Sequence, residues 1–198
     1  MIISLTGFMG SGKSSVGKML PALLDASMGH FDFIDLDDYI VSSEGRSVNV
    51  IFEQDGENGF RRIETRCLNE LLETYRDKNL VLALGGGTAV FNPELVHSRT
   101  ICVYLSASVD TLVSRLASDT SRPLLACPSA DASRPLPTDP SADASGNERS
   151  ESREKGLRNR IERLFASREA TYLRVAHHTV TTDGLSVAAI AAIIAKLF

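Results

Sequence analysis

The sequence predicts an α/β protein: a parallel sheet with helices on both faces. Two observations carry this prediction. Short apolar runs of four to six residues recur along the chain, and helical patterns with apolar residues three and four apart lie between them. Strands that are apolar on both sides are buried on both sides, the condition met by a parallel sheet covered by helices. At 198 residues the chain fits one domain, 1–198, with a sizeable core.

The elements follow in order. Residues 2–6 (IISLT) form an apolar run closed by a glycine, hence a buried strand, and 14–24 a helix. Residues 31–35 read as a second strand and 47–54 as a short helix. The clearest helix is 57–75, where Phe60, Ile63, Cys67, Leu68, Leu71, Leu72 and Tyr75 share one face. Residues 80–84 (LVLAL) give a third strand stopped by Gly85-Gly86-Gly87, and 100–105 a fourth, followed by a helix over 109–117. A long basic helix is expected over 157–174, a weak fifth strand over 179–182 and a closing apolar helix over 186–197.

Residues 121–156 break this rhythm. They contain no Val, Ile or aromatic residue and hold five of the seven prolines. Such a segment buries too little apolar area to offset its ordering entropy, so a long mobile surface loop is expected. Inside it a segment is copied: RPLLACPSADAS is followed directly by RPLPTDPSADAS, identical at nine of twelve positions.

Composition narrows the function. A net charge of −4 gives no general reason to bind nucleic acid. The longest apolar run, 187–194, is too short to span a bilayer, and the N-terminus lacks a signal-peptide pattern. Three cysteines (Cys67, Cys102, Cys127) are an odd number without metal-ligand spacing, and the first two sit in apolar patterns. A reducing cytoplasm fits these cysteines best.

Residues 7–14, GFMGSGKS, match G-x-x-x-x-G-K-[ST] between a strand and a helix. Glycines let backbone N–H groups converge on phosphate oxygens, and the following helix points its positive end at the same anion. In this motif Lys13 reaches the β- and γ-phosphates and the Ser14 hydroxyl coordinates Mg²⁺. The chain therefore binds a nucleoside triphosphate.

Three further features are candidates for the acceptor side. Asp35 and Asp37, in IDLDD, are two apart at a strand end and face one way if the strand continues. One carboxylate suits hydrated Mg²⁺ and the other suits proton abstraction; the alternative is a helix N-cap plus a solvated acid. Arg61 and Glu64 share a helix face, either as an exposed ion pair of small worth, the favoured reading from this motif alone, or as an anchored arginine with donors left for an acidic ligand. Gly85-Gly86-Gly87 permits close backbone approach of a ligand, where a tight turn alone needs only one glycine.

Taken in order, GFMGSGKS, DLD, GRSVNVIFEQDGE leading into FRRIE, LALGGG, RPLL and SREATYLRVA resemble the shikimate kinase family. The resemblance covers nearly the whole chain outside the proline-rich insertion. It implies ATP-dependent phosphorylation of the 3-hydroxyl of shikimate, a step toward chorismate and aromatic amino acids. It also implies a three-layer α/β/α sandwich like that of nucleoside monophosphate kinases, with strand order 2-3-1-4-5 and a mobile lid. On this resemblance Gly10, Ser11, Gly12, Lys13, Ser14 and Ser15 hold the ATP phosphates. Ser14 ligates Mg²⁺, and Asp35 supports it through water. Asp37 binds the acceptor hydroxyls and acts as the base. Arg61 and Arg168 grip the shikimate carboxylate, and Gly86, flanked by Gly85 and Gly87, contacts the ring hydroxyls. Arg122 matches the lid arginine over the phosphates, making it catalytic alongside Lys13 and Asp37, and Arg115 matches an arginine near the adenine. The family is usually monomeric, with small-molecule substrates and neither nucleic acid nor membrane as a partner.

The chain departs from the family pattern in two places. The lid insertion, at about 121–156, is much longer than the family's short segment. Thr181-Thr182-Asp183-Gly184 replaces the basic or proline-containing adenine loop. A Walker B aspartate is missing after the third strand, but that absence is a family feature and Asp35 takes its Mg²⁺ role. Arg122 keeps the following PLL and its spacing to Arg115, whereas Arg134 is followed by PLP, so Arg122 is expected to be the working arginine. Loop-closure cost grows by only about 0.6 kcal/mol per doubling, so the copy is thermodynamically mild. The alternatives are another P-loop kinase, such as a gluconate kinase, or a non-catalytic nucleotide-binding module.

Overall fold

A computed structural model describes residues 1–117 and 146–198. The strands are β1 (Ile2–Thr6), β2 (Asp32–Asp35), β3 (Leu80–Ala83), β4 (Ile101–Ser106) and β5 (His178–Thr181). All neighbours pair in parallel, in the order β2-β3-β1-β4-β5. The expected strand order is therefore observed. Register runs Ile3 to Val81 on one side of β1 and Ile3 to Ile101 on the other.

Among the described residues the helices are α1 (Lys13–Met28), α2 (Leu36–Glu44), α3 (Val48–Thr74), α4 (Thr88–Phe91), α5 (Pro93–Arg99), α6 (Val109–Leu116), α7 (Gly146–Val175) and α8 (Val187–Ala195). Successive strand residues point to opposite faces, and two cores result. Ile3, Leu5, Val81, Val103 and Leu105 pack with Val16, Leu20 and Leu24 of α1 and Ile190 and Ile194 of α8. Ile2, Leu80, Leu82, Cys102 and Tyr104 face the opposite way, onto Leu68, Leu71 and Leu72 of α3 and Ile161 and Tyr172 of α7. The sheet is thus covered on both faces, which explains why its strands read as continuous apolar runs. Cys67 and Cys102 are buried free thiols, and burial pushes Cys102 up to about 11, as befits reduced core residues.

Three points depart from the sequence-based expectation. First, α2 follows directly after β2, where the sequence suggested that the strand continues. Asp35 ends the strand as N-cap, its carboxylate accepting the Asp37 backbone N–H at 3.0 Å. Asp37 therefore lies in the first turn of a helix. Second, α4 and α5 fill the stretch between β3 and β4, with Pro93 opening α5. Third, α7 begins at Gly146, inside the segment expected to be loop. Residues 147–155, NERSESREK, are rich in Glu, Arg and Lys. These residues lose little freedom in a helix, but they offer no apolar face to read. The two helices expected over 47–54 and 57–75 are both present: α3 runs through a break of non-helical backbone at Gly56 that separates them. The duplicated stretch, with Arg122, Arg134 and Cys127, lies outside the described residues.

At Gly56 φ is 68° and ψ is 179°, a conformation that is essentially glycine's alone. A Cβ there would meet nothing within 4 Å, so any cost of adding one is backbone strain and not a clash. Gly56→Ala is expected to lower unfolding stability by about 1–3 kcal/mol, read as a reduced midpoint in urea titration with an unchanged slope.

Candidate active site

The strand ends carry the site. β1 runs into the glycine-rich loop and then into α1, whose N-cap is Gly12, with no side chain closing the end of the helix. The first N–H groups of α1 are therefore left for an anion. Lys13 Nζ donates to the carbonyls of Gly7 at 2.9 Å and Phe8 at 3.0 Å, which holds the ammonium inside the loop. Ser14 Oγ donates to Asp35 Oδ2 at 2.5 Å. Asp35 thus caps α2 with one carboxylate oxygen and meets the phosphate-loop serine with the other.

A cavity of about 490 Å³ opens over this loop. Gly10, Ser11, Gly12, Lys13, Ser14 and Ser15 line it, together with Asp35, Asp37, Asp38 and Gly86. Leu185, Val187 and Ile190 add an apolar wall beside Arg115. Arg115 donates to Gly10 O at 3.1 Å and to Thr182 O at 3.4 Å, tying the phosphate loop to the segment after β5. Asp183 accepts from the backbone N–H of Ser108 at 3.0 Å and so seals the start of α6. The Thr111 hydroxyl, with help from Ser108, holds the Asp183 carboxyl below its usual range. The unusual TTDG stretch therefore has a structural anchor of its own.

A second cluster of buried charge is built on the glycine triplet. Arg61 is 8% exposed and Glu64 0%, and they bond at 2.9 Å. Glu64 also accepts from the Thr88 hydroxyl at 2.7 Å. This is not the exposed pair that the helix spacing alone favoured. The Arg61 guanidinium lies 4.2 Å from the Phe91 ring centre, and its other edge reaches Glu57 at 3.3 Å. A Cβ on Gly87 would fall 2.6 Å from Arg61 Nη2, so a side chain there would require the guanidinium to shift. A Cβ on Gly85 would fall 3.0 Å from Asp37 Oδ1, which places that carboxylate against the same turn. From the opposite side Arg168, 7% exposed, donates to Gly86 O at 3.4 Å. Two arginines far apart in sequence therefore meet adjacent glycines.

The structure brings together Lys13, Ser14, Asp35, Asp37, Arg61, Gly85, Gly86, Gly87, Arg115 and Arg168. Sequence reasoning gave no role to Thr88, Phe91 or Tyr172. Tyr172 lies one helical turn beyond Arg168, a signal that was available. The contacts of Thr88 and Phe91 depend on α4, which periodicity did not reveal.

The sequence model described as shikimate kinase matches residues 9–198. The chain belongs to the shikimate kinase family. It is 42% identical over 129 residues to the shikimate kinase of Psychrobacter cryohalolentis, a stretch covering 64% of this chain and 65% of that one. This match thus spans just under two thirds of that relative's length. The shikimate kinase of Chlorobaculum tepidum is 38% identical over 175 residues, covering 87% of this chain and 78% of its own. The structure of shikimate kinase from Acinetobacter baumannii in complex with shikimate superposes with a TM-score of 0.73 at 34% identity, covering 99% of this chain and 91% of that one. In this shikimate kinase-family chain, removing the buried acid should strand a buried guanidinium. Glu64→Ala is expected to cost about 3 kcal/mol of stability, measured by urea unfolding of the ligand-free protein.

Proposed function

We propose that this chain transfers the γ-phosphate of ATP to the 3-hydroxyl of shikimate, giving shikimate 3-phosphate and ADP. The observation that carries this reading is the placing of two buried arginines, Arg61 at Gly87 and Arg168 at Gly86, the second of these glycines lining the same cavity as the phosphate loop. Buried cations beside open backbone and a carboxylate suit a small acid bearing hydroxyls. Shikimate has one carboxylate and three hydroxyls.

Each residue has a role in this proposal. Lys13 and the N–H groups from Gly10 to Ser15 hold the phosphates and neutralise charge as it moves to the transferred group. Asp37 orients the attacking hydroxyl and takes its proton. Arg61 and Arg168 hold the acceptor carboxylate, Arg61 being kept in place by Glu64. Arg115 and the apolar wall at Leu185 and Val187 receive the base. Ser14 would ligate Mg²⁺ and Asp35 would support it through water: a hydroxyl and a carboxylate are hard oxygen donors of the kind this ion takes while keeping several waters. Among the described residues no group of three or more His, Cys, Asp or Glu side chains is placed to hold a metal ion by itself. When bound, the ion neutralises phosphate charge and orients the nucleotide. Arg122 is proposed to close over the phosphates and to exclude water. The protein is proposed to act as a cytoplasmic monomer without nucleic-acid or membrane partners. Among the described residues no helix is long and apolar enough to cross a membrane.

A coupled ADP-release assay with ATP and Mg²⁺ tests this reading against gluconate. Shikimate-dependent turnover is expected; turnover with gluconate alone would replace the reading with that of another sugar-acid kinase. Asp37→Asn is expected to lower kcat at least about 100-fold while ATP affinity holds; an unchanged kcat removes Asp37 as the base. For the lid, Arg122→Ala is expected to reduce kcat more than Arg134→Ala does, and the opposite order reassigns the working arginine to the copy.

A further inference from the structure

The Gly86–Gly87 peptide lies at the centre of the acceptor side, yet neither residue has a side chain to hold it. A peptide between two glycines turns more freely than any other, and the turn closed by the Thr88 N–H on the Gly85 carbonyl at 3.2 Å admits either orientation of it, so a further restraint decides between them. α7 supplies that restraint. The Tyr172 hydroxyl donates to the Gly86 carbonyl, and Arg168 Nη1 reaches the same oxygen at 3.4 Å. Tyr172 is 0% exposed. Its ring stacks on Tyr104 of β4 at 5.4 Å between centres, so the hydroxyl is delivered from a packed ring and not from a flexible chain. Burial pushes the hydroxyl up to about 12, so it keeps its proton at neutral pH and remains a donor.

A trans peptide is planar, with its N–H opposite its carbonyl. Holding Gly86 O toward α7 therefore turns the Gly87 N–H away from α7. Arg168 is also the residue proposed to grip the acceptor carboxylate, and a group shared in that way makes a poor fixed restraint. We propose that Tyr172 is a positioning residue that sets the plane of the Gly86–Gly87 peptide, presents its N–H to the acceptor hydroxyls, and leaves Arg168 for the carboxylate. This deepens the function proposed above and rests on shikimate being the acceptor.

Tyr172→Phe removes the hydroxyl and keeps the stacked ring. In steady-state assays of the full chain it is expected to raise the shikimate KM by roughly tenfold and to leave kcat and the ATP KM within about twofold, with a melting temperature near that of the parent. A purely structural role would instead lower the active fraction, and hence kcat, at constant KM; that pattern, or an unchanged shikimate KM, overturns the proposal. The Gly87 amide resonance of the ¹⁵N-labelled, ligand-free protein gives a readout independent of substrate. It is expected to shift in Tyr172→Phe, and a resonance that stays in place overturns the proposal whatever the kinetics. If the parent protein fails to phosphorylate shikimate, the functional reading falls, and the Gly87 resonance alone then upholds or overturns the restraint by Tyr172.

Discussion

Close backbone approach at Gly85-Gly86-Gly87 is the constraint on which the site depends. A side chain at the first position would press on Asp37, Thr88 and Glu64, and one at the third would collide with Arg61. The bare backbone lets α2, α3, α4 and α7 converge on the end of β3. Buried charge then becomes tolerable. Glu64 is wholly buried but bonds both Arg61 and Thr88, so its desolvation is offset by two partners.

The parallel sheet makes this convergence useful. All five strands run the same way, so the phosphate loop after β1, Asp35 at the end of β2 and the glycines after β3 open onto one edge. Asp35, Asp37 and Gly86 thereby line one cavity with the phosphate loop. Asp35 links fold and chemistry directly. The oxygen that caps α2 orients the carboxylate, and the other oxygen meets Ser14. A change there acts on helix stability and on the phosphate loop together.

Much of the architecture was legible. Strands showed as apolar runs because both faces are covered, and the phosphate loop declared itself because its chemistry needs a set order of glycines, lysine and hydroxyl. The helix break near Gly56 was also readable, since a glycine divides two patterns there. Other features were hidden for physical reasons. α2 opens with acidic residues that look like a strand end, and α4 has only four residues, too few to show a period. The first turns of α7 carry no apolar stripe. The Arg61–Glu64 pair was visible as a spacing, but its burial comes from Phe91 and Gly87, contributed by another part of the chain.

Sequence alone thus determined the five strands, most of the longer helices and the phosphate-loop motif, because each rests on local pattern or fixed spacing. Only the tertiary structure decided that Asp37 stands in a helix, that Arg61 is buried and that Tyr172 holds the Gly86 carbonyl. Burial and long-range hydrogen bonds depend on which distant residues arrive at a point, and Tyr172 and Gly86 are 86 positions apart. No local periodicity encodes that meeting; the crossing of α7 over the end of β3 produces it.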